Sequence, residues 1–351
     1  MRRRVVKSVR VWLLPVLLIF VAAGCGAAGD AEPREAGTER IQVAATIPIL
    51  EDFVREVGGE RVESFSIVPR GGDPHTFQAT PQDARRIAES EVVFKNGLGL
   101  DDWIDGLIQS AGGGELRVVE LSEGLEPLEH AHDHGDEHGH GHEGEHSHGH
   151  EEEHGHDHGD EHGHDHGGEH SHEHGHDHSE GDPHFWLDVT YAMHYVEVIR
   201  DALSEVDPEG AGTYERNAEA YLRELEELDA YIMERAQTIP EEDRKLVTFH
   251  EAFGYWAERY GFEEVGVVLP NPEAEPSARE LAELSRQIRE QGVGAIFTEP
   301  QFSGSAADAV AEEAGVEVYE VYTDTLIDDE SADTYLSMMR TNIDRMVEGL
   351  T

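Results

Sequence analysis

Residues 41–68, IQVAATIPILEDFVREVGGERVESFSIV, decide the fold. Ile41 to Thr46 is a short apolar run of strand length. From Pro48 the period changes: Ile49, Leu50, Phe53, Val54 and Val57 fall on one side of a helix, and Gly58-Gly59 ends it. Val62 to Val68 is a second strand. Strand, helix, strand is the repeating unit of a parallel α/β sheet.

Outward from this stretch the rhythm continues. Thr80-Pro81 opens a helix reaching about Ser90, since proline suits the first helical position. Residues 92–94 form a strand, 100–110 a helix and 117–121 a strand. After a break at Glu129, a helix spans 191–206 and a longer one 213–238. The second carries a stripe of Tyr214, Ala218, Tyr221, Leu222, Leu225, Leu228, Ile232 and Ala236 at three- and four-residue spacing, and Pro240 ends it. Strands then fall at 245–249, 265–269, 294–298 and 317–322. Helices fall at 252–260, 277–291, 306–314 and 334–348. The predicted fold class is α/β: two parallel-sheet lobes, 41–190 and 241–351, joined by a helical linker over 191–240 with 213–238 as its spine.

The chain has 351 residues and a formal charge of −50, from 26 Lys and Arg against 76 Asp and Glu. Such a surface repels nucleic acid and anionic lipid and attracts cations. Residues 1–25 read as targeting. A basic head (Arg2, Arg3, Arg4, Lys7, Arg10) precedes an apolar run over 11–23 and a small-residue exit, the pattern of an export signal. That run falls short of the ~20 residues needed to span a bilayer. Cys25, the only cysteine, excludes a disulfide framework and a thiolate metal site. Following Ala22-Ala23-Gly24, it resembles a lipobox cysteine, whose acylation would tether the protein to the outer face of a membrane. Residues 26–40 read as a flexible tether.

Of 24 histidines, 20 lie between His130 and His178. No aliphatic or aromatic residue occurs from His132 to Pro183, so the 130–181 segment cannot bury surface to offset its ordering entropy and is expected to be disordered. Its imidazoles come as His-Gly-His and His-Asp-His units: His132, His134, His138, His140, His142, His146, His148, His150, His154, His156, His158, His162, His164, His166, His170, His172, His174, His176 and His178. Many weak, interchangeable ligands make a local metal reservoir.

Four histidines stand outside that segment. His194 lies on a helix among polar neighbours and reads as structural. His75 follows a strand in Gly72-Asp73-Pro74-His75, and His184 sits in the matching Asp182-Pro183-His184. His250 ends the strand Leu246 to Phe249, and Asp324 follows the strand ending near Tyr322. Ligands of open α/β sheets gather beyond the carboxyl ends of strands, where His75, His250 and Asp324 project. Neutral imidazole suits zinc, copper, iron and nickel. Three histidines with a carboxylate or water would complete a zinc tetrahedron. Asp73 and Asp182 are candidate partners for the imidazole N–H groups.

The motifs Gly72-Asp73-Pro74-His75, Asp182-Pro183-His184-Phe185-Trp186-Leu187-Asp188, Thr248-Phe249-His250-Glu251-Ala252-Phe253-Gly254-Tyr255, Thr298-Glu299-Pro300-Gln301-Phe302 and Tyr322-Thr323-Asp324-Thr325-Leu326 carry a resemblance. The chain resembles the zinc-type receptors of bacterial ABC importers, a family that also holds manganese receptors first described as adhesins, over Ile41 to about Leu350. The resemblance implies two α/β lobes joined by one rigid helix, with the metal buried between them. It implies His75, His184 and His250 as ligands and Asp324 as a ligand or an outer carboxylate. Glu299 is expected to be structural or to contact the other lobe. Manganese-type members usually carry a carboxylate at the third position, so His250 favours Zn2+ as transported ligand over Mn2+. Also implied are an extracytoplasmic, lipid-anchored or periplasmic location, a monomer, and a membrane permease and ATPase as partners.

No enzyme is expected. His250-Glu251-Ala252-Phe253-Gly254 opens like a zinc-protease helix, but that motif needs a second histidine one turn on, and Gly254 occupies the place. The rival readings are a manganese or other transition-metal receptor of the same fold and a surface metal buffer or adhesin; a two-lobed body with a closed cleft argues against a buffer.

Overall fold

A computed structural model describes residues 40–110, 116–128, 181–269 and 276–351. Cys25, the leader, and the histidine-rich segment apart from Gly181 lie outside these residues.

The first lobe is a four-stranded sheet of β1 (Ile41–Ala45), β2 (Val62–Ser66), β3 (Val92–Lys95) and β4 (Arg117–Glu120), in the order β2-β1-β3-β4. All pairings are parallel, with Ile41 against Val62 and Val43 against Val92. Helices α1 (Pro48–Gly58), α2 (Pro81–Ala88) and α3 (Trp103–Ser110) connect them. Pro48 takes the first turn of α1, and Thr80 and Asp83 form a reciprocal capping box on α2. The helix read over 100–110 begins only at Trp103. Before it the chain wraps round the buried Asp101 carboxylate, which accepts the Thr46 hydroxyl and the Asn96 and Gly97 N–H groups.

The second lobe repeats the plan. β5 (Lys245–Thr248), β6 (Glu263–Val267), β7 (Ala295–Thr298) and β8 (Glu317–Glu320) form a parallel sheet in the order β6-β5-β7-β8. Helices α6 (Gly254–Tyr260), α7 (Ala278–Gln291), α8 (Ser305–Ala314) and α9 (Tyr335–Leu350) complete it.

Between the lobes run α4 (Val189–Val206) and α5 (Ala211–Ala236), 18 and 26 residues long. The buried face of α5 comprises Tyr214, Ala218, Tyr221, Leu225, Leu228, Ile232 and Ala236, while Leu222 is only half-buried. α5 packs on α1, α4 and α9. α4, read from sequence as part of the linker, also packs against α1 and β3 of the first sheet. One continuous core therefore runs from Val43 and Phe53 through Tyr221 and Leu228 to Met338 and Phe297. Among the described residues, no helix is long and apolar enough to cross a membrane.

Candidate metal site

The loops leaving the carboxyl ends of the strands bring the predicted side chains together. His75 lies in the loop after β2, His250 two residues after β5, and Asp324 four residues after β8. His184 directly precedes a 3-10 turn, Phe185–Leu187, that leads into α4. All four are buried, and each offers a donor atom within 4.8 Å of the others. His184 Nε2 lies 3.4 Å from His75 Nε2 and 3.3 Å from Asp324 Oδ1. Asp324 Oδ2 lies 3.7 Å from His75 Nε2 and 3.4 Å from His250 Nε2. A tetrahedral ion with bonds near 2.0–2.1 Å holds its donors about 3.3–3.4 Å apart. Four of the donor separations are therefore at or near those edge lengths, and all four donor atoms lie within 4.8 Å of one another.

Outer partners aim the rings. Asp182 Oδ1 lies 2.7 Å from His184 Nδ1 and accepts the His184 backbone N–H at 2.9 Å. Glu299 Oε2 lies 2.9 Å from His250 Nδ1. In each case a carboxylate occupies the Nδ1 side, so that Nε2 faces the centre. Glu299, expected to be structural or to contact the other lobe, is the carboxylate partner of a site imidazole. The signal was available, because Glu299 follows β7 and so opens on the same crevice as His250. Asp73 accepts the His75 backbone N–H at 2.9 Å and the Thr76 hydroxyl at 2.6 Å; it braces the loop through these bonds. His194 is half-buried on α4 and takes no part in the cluster.

The electrostatics follow from burial. Removal from water opposes charge on His184, but Asp182 and then Asp324 more than offset this and push its pKa up to about 10. His250 is raised despite burial, by Glu299 and Asp324. Asp324, itself opposed by burial, is held well below the usual carboxylate range by His250, His184 and His75.

The loops that carry the donors are laced across the lobes. Gly71 N–H donates to Leu326 C=O at 2.9 Å, and the Arg70 guanidinium to the carbonyls of Ile327 and Asp333. The Trp186 indole donates to Thr323 C=O at 2.7 Å, and the Tyr335 hydroxyl to Trp186 C=O at 2.6 Å. Asn96 Nδ2 holds Pro183 C=O at 3.0 Å. The donor-bearing loops are therefore held by hydrogen bonds, of which those of Trp186, Tyr335 and Asn96 are buried.

Two parallel α/β lobes closing on three imidazoles and a carboxylate define a metal-binding receptor of the two-lobe class. The family model described as "ZnuA: Zinc-uptake complex component A periplasmic" matches residues 43–349, and the chain belongs to that family of metal-binding receptors of ABC transporters. It is 33% identical to the manganese-binding lipoprotein MntA of Halalkalibacterium halodurans over 96% of each chain. It is 26% identical to the metal ABC transporter substrate-binding lipoprotein SsaB of Streptococcus sanguinis, over 95% of this chain and 97% of that one. Among solved structures, a manganese-bound point mutant of the periplasmic metal binding protein from candidatus Liberibacter asiaticus matches with a TM-score of 0.70 and 25% identity, covering 89% of this chain and 100% of that one.

Proposed function

We propose that this chain is the extracytoplasmic receptor that captures Zn2+ and delivers it to the permease of an ABC importer. The observation that carries this reading is the spacing of four buried donor atoms, three of them imidazole nitrogens, drawn from loops of both lobes. Imidazole is a ligand for zinc, whereas the oxygen-rich sites of magnesium, calcium and manganese use carboxylates and waters. The protein binds and does not catalyse. Zn2+ is its cargo, held by His75, His184, His250 and Asp324. Loading replaces the protons on the imidazoles, and Asp324 supplies negative charge to the centre. Release then requires the permease to separate loops that are now laced together. The continuous core along α5 favours small loop movements over wide hinge closure. A lipid on Cys25 would keep this monomeric receptor beside the permease, and the histidine-rich segment would raise the local zinc concentration.

A second reading, a manganese receptor, is favoured by the similarity to the manganese-binding lipoprotein MntA and by the Asp324 carboxylate at the centre of the site. Because zinc outbinds manganese at most nitrogen–oxygen sites, metal accumulation by cells decides between them. Cells lacking this chain are expected to lose zinc accumulation and keep that of manganese. Loss of manganese accumulation with zinc unaffected would replace the zinc reading.

A further inference from the structure

Gly254, which stands where a zinc-protease helix would carry its second histidine, opens α6 against the metal site. A Cβ there would lie 2.9 Å from Asp182 Oδ2, closer than real Cβ contacts allow. The Asp182 carboxylate cannot easily swing away, because its other oxygen already holds both the backbone N–H and the Nδ1 of His184.

The next residue grips the same aspartate from the main chain. The Tyr255 hydroxyl donates to Asp182 C=O at 2.7 Å and accepts the Leu128 N–H at 3.0 Å. Asp182 N–H donates in turn to Leu128 C=O at 2.9 Å. The Tyr255 ring is buried, stacked on Phe185 with centroids 4.6 Å apart, so the hydroxyl has little freedom to follow a displaced partner.

We propose that Gly254 and Tyr255 are positioning residues for metal capture. Together they fix Asp182, which sets the ring orientation of His184 and the direction of its Nε2. α6 begins four residues after His250, so one short helix joins the loop of one imidazole to the partner of another. This inference rests on the metal-receptor reading and adds to it the device that orients His184. Gly254→Ala forces the Asp182 carboxylate off the imidazole. Tyr255→Phe removes one oxygen and frees the Asp182 carbonyl.

The test uses the full chain. Zinc affinity is measured by competition with a chelator strong enough to strip isolated surface imidazoles. A His75→Ala/His184→Ala/His250→Ala chain supplies the background, and melting is followed in parallel. Loss of an outer partner costs roughly 10–100-fold in metal affinity. Gly254→Ala is expected to fall in that range and Tyr255→Phe near its lower end, about tenfold. Asp182→Ala alone should match Gly254→Ala. Added to Asp182→Ala, neither substitution should weaken zinc further, because the carboxylate through which they act is gone. A merely structural role would lower the melting temperature but leave the losses additive. If Gly254→Ala fails to fold, Tyr255→Phe decides. Parent protein that binds tightly, with variants within twofold of it or with additive losses, overturns the proposal. Parent protein no better than the triple-alanine chain removes the metal-receptor reading itself, and the proposal with it.

Discussion

Glu299 accepts a hydrogen bond from His250 Nδ1 at 2.9 Å, and the two residues follow β7 and β5, adjacent strands of the second sheet. The chain passes from β5 to one side and later to the other, so the crevice at this switch point is where a ligand of an open α/β sheet belongs. The pair fixes the imidazole with Nε2 inward. Glu299→Ala should weaken zinc binding by about 10–100-fold, while Glu299→Gln, which keeps an acceptor oxygen, should lose less. Chelator competition measures both, and equal affinity for all three proteins would show that Glu299 does not orient the ring.

Metal and protons compete for the same nitrogens. With His184 raised to about 10, its proton at pH 7 is one that an incoming metal ion must displace. Binding should release protons, and affinity should rise with pH up to that range. Calorimetry in buffers of different ionisation enthalpy reads the number released; zero would contradict the proposed ligand set.

The same shift governs stability without metal. A histidine whose folded pKa exceeds its ordinary 6.5 contributes stability that is full below that value and lost as pH rises through about 10. Melting of the metal-free protein should fall across this window. His184→Gln, which removes the titrating group, should flatten the decline.

Asp52 on α1 accepts the Tyr335 N–H at the start of α9 at 2.8 Å, a buried tie between the lobes. Burial, only partly offset by Arg55 and by that N–H, lifts its carboxyl to about 6. Protonation therefore favours the fold, and this contribution, on the order of 2–3 kcal/mol, is lost as pH rises from about 4 to about 6. Asp52→Asn keeps an acceptor for Tyr335 and should abolish the slope in urea-melting free energy over that interval.

The α5 spine makes a contrasting prediction. Leu228 is fully buried in the shared core, far in sequence from any donor. Leu228→Ala should cost about 2–5 kcal/mol of stability with zinc affinity unchanged. A parallel loss of affinity would mean that the lobes are held in register by the spine alone rather than by the loop lacing.

Much of this was legible in the residues, for physical reasons. Short apolar runs, period-3.6 runs and glycine stops are local, so all eight strands and nine α-helices of the described residues fall close to the stretches read from sequence. Boundaries slipped where tertiary contacts took over. The strand read at 265–269 lies at Glu263–Val267, because Val268 and Leu269 still donate to the carbonyls of Thr248 and Phe249 but stand outside the ladder. The four candidate donors were visible because each lies at a strand end or in an Asp-Pro-His segment. That Glu299 opens on the crevice was legible, but which ring it meets depends on the distance between the loops after β5 and β7, which no local pattern encodes. Gly254 was legible only as a missing histidine; its reason appears once Asp182 stands beside it.

The central claim is that imidazoles from 75, 184 and 250 and the carboxylate of 324 share one ion. Anomalous diffraction at the zinc edge, from crystals of protein lacking residues 133–179, tests it most directly. The expected result is one fully occupied peak bounded by the three Nε2 atoms at about 2.0–2.1 Å and by an Asp324 oxygen. A peak elsewhere on the molecule, or none in that cluster at saturating zinc, would contradict it.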